Sequence, residues 1–327
     1  MSEATLLSSL DDYLNSVRLS RSENTARTYR NAVNVFVACL HDLNIDPITH
    51  GSETAEVDWI ADFAKYLRGY APASERLYLT AIAGWYEYLA AEDLAEINLP
   101  RLRLLIRRRS RKPGQRLPQF PRHDIERILE HAQDLAVPPD SGDRGRLRAQ
   151  RDRAYLFTLA DTGVRVHEAV GLRRGDIDWN EGRALLIGKG DQEAVVRFSR
   201  RALRYLKTYL DSRNALDGSS GRPLRSLPLF ARHDKGAGTR VLPISTTTGR
   251  AIVHQRAAEA LGGNQTGVIT PHSFRHYFVT TVLRGSGGNL KLAQELARHR
   301  SIAVTQRYAH LSDDELDRGY HEIFEKP

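Results

Sequence analysis

One cysteine, Cys39, stands in a chain of 327 residues, so no intrachain disulfide is possible and no oxidising compartment is required. Within the apolar run NAVNVFVACL it reads as a small buried hydrophobe. No stretch approaches the roughly 20 consecutive apolar residues of a membrane span, and the opening MSEATLLSSLDDY lacks the basic-then-apolar pattern of an export signal. The expectation is a cytoplasmic protein with no membrane association. Lysine is also scarce, at seven of 48 basic residues, so a lysine in an unusual setting needs a reason. Missing too are a cysteine or serine nucleophile triad, a metal-ligand cluster and a phosphate-cradling glycine loop.

The chain carries 41% hydrophobic and 27% charged residues, a globular balance that excludes disorder or a fibrous repeat for its bulk. Its length suits two domains rather than one core. A net charge of +8 and a pI near 9.6 favour a polyanionic partner without choosing among DNA, RNA and a membrane surface. From Thr25 the positions Ala26, Tyr29, Val33, Phe36, Val37 and Leu40 step by three and four, which predicts a helix with one buried stripe. Leu77, Ala81, Trp85, Tyr88 and Leu89 repeat the spacing with Ser74 as N-cap, and Val57, Ile60, Ala61, Ala64 and Leu67 repeat it more weakly. The first hundred residues read as a helical bundle.

Residues 101–116, RLRLLIRRRSRKPGQR, hold eight basic side chains and no acidic one before a Pro-Gly stop. The expected domain boundary lies near Pro113, giving residues 1–112 and 113–327. The run reads either as a solvated linker or as a strap along a phosphate backbone, with Arg107, Arg108, Arg109, Arg111 and Lys112 as contacts and Arg27 and Arg76 as further candidates. Beyond it, PRHDIERILEHA and RDRAYLFTLADTG predict helices around an exposed loop, residues 136–150. Ile177 to Trp179, ALLIG and EAVVRF predict a small antiparallel sheet with Lys189 at a hairpin tip. SDDELDRGYHEIF predicts a tail helix presenting Leu316, Tyr320, Ile323 and Phe324 on one face.

Five segments carry polar residues that packing alone does not demand. In TGVRVHEAVGL, Arg165 begins a helix and Glu168 shares its face; an ordinary surface ion pair is the bland alternative. In GKGDQ, Lys189 sits between glycines, as an exposed turn lysine or as a proton donor whose pKa neighbouring cations lower. TPHSFRHYF places His272, Arg275 and His276 on one helical face after Pro271. Ser273 and Arg275 stand where a zinc-binding helix would need a glutamate and tolerate no cation, so no metal is expected. LARHRSIAVTQRYAHL adds His299 and Tyr308, a tyrosine that alone would pass as structural.

Taken in order, Arg165, Lys189, His272, Arg275, His299 and Tyr308 resemble the active positions of the tyrosine recombinases, the phage-integrase or Xer-like family. The resemblance covers most of the chain, with one departure: Arg298 stands where the family commonly has glycine, as an extra phosphate contact or a solvent-facing side chain. It implies a mainly α fold with a small antiparallel sheet, arranged as a two-domain DNA clamp: a helical core-binding domain and an α+β catalytic domain. It implies site-specific recombination of double-stranded DNA through a 3′-phosphotyrosine intermediate and a Holliday junction, without cofactor. A homotetramer on DNA with exchanged tails follows from the same resemblance. Glu168 would support neighbouring cations. Two alternatives stay open: a DNA-relaxing enzyme of the type IB topoisomerase kind, and a catalytically silent DNA-binding protein of the same fold.

Overall fold

The computed structural model describes residues 4–111, 122–135, 142–187, 193–262, 269–306 and 308. Lys112, the expected boundary at Pro113, Lys189 and the tail stripe from Leu316 to Phe324 lie outside them. The chain divides into two compact units, Met1–Arg116 and Leu117–Pro327. Among the described residues, no helix is long and apolar enough to cross a membrane.

The first unit is helical throughout: α1 (Leu6–Ser20), α2 (Glu23–Asp42), α3 (Trp59–Tyr66), α4 (Pro72–Ala91) and α5 (Leu99–Arg109). The hydroxyls of Thr5 and Ser22 accept from the backbone N–H of Ser8 and Thr25, capping the first two helices. Phe36 meets Phe63 edge-on with ring centroids 5.1 Å apart and Trp85 at 5.6 Å. Two fully buried aromatics with polar tips have partners: Trp85 Nε1 donates to Ser9 Oγ at 3.2 Å and the Tyr86 hydroxyl to the Glu56 carbonyl at 2.7 Å. Cys39 is buried in this core, as its run of neighbours predicts.

Helix α4 starts at Pro72, whose fixed φ suits the first helical position, and not after Ser74. Its buried face runs through Leu79, Ile82, Trp85, Tyr86 and Leu89, which leaves Leu77 exposed. Much of the basic run 101–116 is the helix α5, capped by the Asn98 side chain and anchored by the buried Leu102. Leu105 and Ile106 pack on the same core at helical spacing, while Arg107, Arg108 and Arg109 are exposed in its last turn, where positive charge suits the helix dipole. Arg27 and Arg76 are likewise exposed.

Arg111 is placed differently from an outward phosphate contact. Its Nε donates to Glu75 Oε2 at 2.5 Å and its backbone N–H to Oε1 at 2.8 Å, with the Glu75 side chain fully buried. Burial works to raise the Glu75 pKa, but the hydrogen bonds and charge of Arg111 outweigh it and hold the carboxyl below its usual range.

The second unit is built around α7 (Gly142–Thr162), which packs against α6 (Arg122–Gln133) and α9 (Arg200–Ser212). Gly142 to Gln150 therefore open a helix, and only residues 136–141 of the expected loop are left outside the description. Leu147 and Ala149 are buried, continuing the apolar face of Leu156 and Leu159. Between α7 and α9 come α8 (Val166–Gly171) and the strands β1 (Ile177–Asp178), β2 (Arg183–Ile187) and β3 (Glu193–Arg197). They pair antiparallel in the order β1-β2-β3, with Ala184 opposite both Ile177 and Val196 on the buried face. The short α10 (Asn214–Gly218), then α11 (Thr246–Leu261), α12 (Pro271–Gly285), α13 (Leu290–Ala297) and α14 (Ile302–Gln306) complete the unit.

Candidate active site

Helix ends place the candidate side chains. After α7 the chain turns at Gly163 in the left-handed region, φ 60°, where a Cβ would come within 2.4 Å of the Phe278 ring; glycine alone fits. The turn buries Val164 and sets Arg165 as the N-cap of α8. Glu168 reaches back from the first turn: Oε2 accepts the Arg165 backbone N–H at 2.8 Å and Oε1 accepts from Nη1 at 2.9 Å. This is the reaching-back half of a capping box, and it spends one of the five donors of a guanidinium that stays 44% exposed.

Helix α12 opens with Pro271 and carries His272, Arg275 and His276 on one face, as the sequence predicts. Arg275 is only 3% exposed. Its Nη1 donates to the Gly163 carbonyl at 2.5 Å and its Nη2 to the Ala297 carbonyl, so it ties the turn after α7 to the end of α13. Beyond α13, His299 is buried and its Nδ1 lies 2.8 Å from the Oγ1 of the buried Thr305 in α14. That contact fixes the ring and leaves Nε2 for the cavity that His299 lines. The Tyr308 ring is stacked 17° from parallel to His299 at 6.1 Å between centroids and lies 4.6 Å from His276. His276 in turn meets His272 edge-on at 4.4 Å.

These side chains enclose one cavity of about 390 Å³ lined by Arg165, His272, Arg275, His276, His299, Val304 and Tyr308. Five of the six residues singled out from the sequence are therefore brought together; the sixth, Lys189, is outside the described residues. A second opening of about 440 Å³ shares Arg165, His272 and Arg275 and extends to Arg250 and His254 of α11. Among the described residues no cluster of His, Cys, Asp and Glu could hold a metal ion.

Two side chains outside the six candidates also belong here: His276 lines the cavity and Thr305 holds the His299 ring. Thr305 carries no recognisable signal, because its role depends on the fold returning α14 to His299. His276 did have one: it shares the helical face of His272 and Arg275.

Arg298 matches neither of its two expectations. It is the C-cap of α13 in left-handed geometry, φ 55° and ψ 48°, a conformation that costs a non-glycine residue about 1–2 kcal/mol. Its side chain is 11% exposed and its Nη2 donates to Glu168 Oε2 at 2.8 Å. One carboxylate thus bridges two arginines. Glu168 is held below the usual carboxylate range, because Arg298 and Arg165 outweigh the opposing effect of burial. With Arg275, the cluster has three guanidiniums against one carboxylate.

Burial together with this excess of positive charge depresses His272, His276 and His299. Burial, then Arg275 and Arg165, pushes His299 down to about 4. Burial, then His272 and Arg275, brings His276 to about 4. Desolvation with Arg275 and Arg165 also lowers His272. Burial and the charges of Arg165 and Arg298 lower Arg275 to about 10, still protonated at neutral pH. The site holds neutral imidazoles beside permanent cations.

A pH dependence of stability follows. The unfolded chain takes up histidine protons near pH 6.5 and the folded site only near 4, so unfolding gains protons between those values. The melting temperature is expected to rise with pH from 4 to 6.5, where the unfolded pKa is passed, and then level off. Replacing His276 and His299 together by Gln should flatten that rise in thermal melts. An unchanged slope would contradict neutral imidazoles in the folded site.

A tyrosine set beside two guanidiniums and neutral imidazoles, on a mainly helical frame with one small sheet, is an arrangement suited to a protein that acts on phosphate esters. Residues 119–315 match the Phage integrase family. The tyrosine recombinase XerD of Chlorobaculum tepidum is 30% identical over 327 residues, spanning 96% of this chain and 95% of its own. XerD of Mycobacterium tuberculosis is 31% identical over 321 residues, 93% of each. Among solved structures, the XerH site-specific recombinase in a post-cleavage complex with palindromic difH substrate superposes with TM-score 0.66 at 18% identity, over 98% of this chain and 96% of that one. A lambda integrase dimer bound to a COC′ core site gives 0.62 at 19%, over 94% and 95%. The chain belongs to the phage integrase family and is a tyrosine recombinase.

Proposed function

We propose that this recombinase cuts and rejoins double-stranded DNA at a specific core site, with Tyr308 as the nucleophile and Arg165, Arg275, His272 and His299 around the scissile phosphate. The observation that carries this reading is the single cavity shared by the Tyr308 ring and both arginines. Relatives of similar fold bound to difH and to a COC′ core site support DNA as the partner.

The Tyr308 oxygen attacks phosphorus and the bond to the 5′ oxygen breaks, leaving a 3′-phosphotyrosine and a 5′ hydroxyl. The equatorial oxygens gain negative charge on the way, and planar guanidiniums that stay charged at working pH stabilise it. A neutral His299, fixed through Nδ1 by Thr305, can take the phenol proton at Nε2. Family resemblance assigns to Lys189 the proton that the departing 5′ oxygen needs. One phosphodiester is exchanged for another, so no cofactor is drawn on.

Residues 1–112 form the core-binding domain in this reading, with Arg27, Arg76, Arg107, Arg108 and Arg109 as exposed phosphate contacts and Lys112 as a further one; residues 113–327 form the catalytic domain. Strand exchange between two duplexes through a Holliday junction calls for a tetramer, joined by exchanged C-terminal tails, acting on DNA in the cytoplasm.

Incubating the protein with nicked duplexes recovered by selection on it, in EDTA and without nucleotide, should give a DNA adduct that survives SDS. Adduct formation only after a divalent metal is added would count against the proposal.

A further inference from the structure

We infer that Arg298 is a positioning residue for cleavage: by sharing Glu168 with Arg165 it keeps the Arg165 guanidinium available to the phosphate. The inference rests on the cleavage reading given above and assigns a task to one residue beyond it.

The geometry separates this task from direct contact. Arg298 does not line the cavity that holds Tyr308, whereas Arg165 does. Its Nη2 meets Glu168 Oε2 at 2.8 Å, the same oxygen that accepts the Arg165 backbone N–H. Its Nη1 is buried without a hydrogen-bond partner among the described residues. A guanidinium held by one carboxylate with a buried Nη1 left unsatisfied is a poor structural anchor. It also sits at φ 55°, where glycine would be strain-free. Stability does not account for an arginine here; the charge it brings to Glu168 does.

The electrostatic consequence is specific. With Arg165 as its sole cationic partner, Glu168 would offset nearly the whole charge of the guanidinium meant for phosphate. With Arg298 on its other flank, the carboxylate is divided, and three guanidiniums less one carboxylate leave a net charge of two. That suits the second negative charge a phosphodiester acquires as it is attacked. Arg298 also fixes the Glu168 rotamer, so Arg165 presents its remaining donors in one direction.

The test compares single-turnover cleavage of a nicked duplex by wild type, Arg298→Gly, Glu168→Gln and the double variant, with Tyr308→Phe as the check on the cleavage reading. Arg298→Gly should slow cleavage at saturating DNA at least tenfold, leave the half-saturating DNA concentration within twofold and keep or raise the melting temperature. In the Glu168→Gln background, where there is no carboxylate charge to divide, the same substitution should cost less than threefold. Arg298→Lys should recover part of the rate. A rate within twofold of wild type for Arg298→Gly, or an undiminished loss in the Glu168→Gln background, would overturn the inference. Failure of the cleavage reading would look different: no adduct from wild type, or an equal one from Tyr308→Phe.

Discussion

Tyr308→Phe is expected to remove covalent adduct formation on a nicked duplex, by a factor on the order of 10³ or more, as loss of a nucleophile does. Among the described residues that line the cavity no other hydroxyl or thiol substitutes for the phenol oxygen, because the other side chains are cationic, weakly basic or apolar. The fold should not suffer. The Phe ring keeps the contacts with His276 and His299 and with the small apolar cluster of Val279, Leu283, Ala293 and Ala297, so the change in stability should stay within about 1.5 kcal/mol, the worth of one hydrogen bond. Duplex affinity, carried by arginines that the substitution leaves in place, should be near normal in a gel-shift titration. Adduct yield equal to wild type would remove Tyr308 from the reaction.

Arg275→Ala should show the second large effect, with a twofold signature. Removing a fixed donor from the phosphate costs about 10²–10³ in rate. The same truncation leaves the carbonyls of Gly163 and Ala297 without the guanidinium that now binds them, at about 1–3 kcal/mol for each buried group left unpaired. Arg165→Ala separates the two contributions: with a side chain 44% exposed, it should lose a comparable factor in rate, while its surface ion pair is worth only about 1 kcal/mol or less. Single-turnover rates beside thermal melts of the two variants check this. If Arg275→Ala melted no lower than Arg165→Ala, the tie between the end of α7 and the end of α13 would carry no stability.

The difference between those arginines also marks how far the sequence could be read. What was legible was local. The stripe from Ala26 to Leu40 is one helix, the turn at residues 180–182 joins two paired strands, and Glu168 three residues past Arg165 bonds it as helical spacing requires. The candidate side chains are legible through an order and residue type that resemble the active positions of the tyrosine recombinases, and five of the six share a cavity. What was not legible depended on contacts far apart in the chain. Leu77 fits a helical stripe as well as Leu79 does, and only the packing of α4 against the bundle decides which is buried. Residues 142–150 look like a polar loop because most of them face solvent, yet Leu147 and Ala149 reach the core and extend α7. Arg111 belongs to a basic run, but the fully buried Glu75 takes it.

The site shows the same limit. Thr305 steadies His299 across a turn that no spacing rule anticipates, and Arg298 finds Glu168 across 130 residues of chain. A sequence supplies the chemical inventory of a pocket more readily than the second layer that orients it, because orientation is set by which helix ends meet.

Whether the Tyr308 oxygen itself becomes bonded to the DNA phosphate is read by mass spectrometry of the protease-digested adduct trapped on a nicked duplex. A nucleotide remnant is expected on the peptide containing Tyr308, attached to its phenol oxygen. A remnant on any other side chain would contradict it.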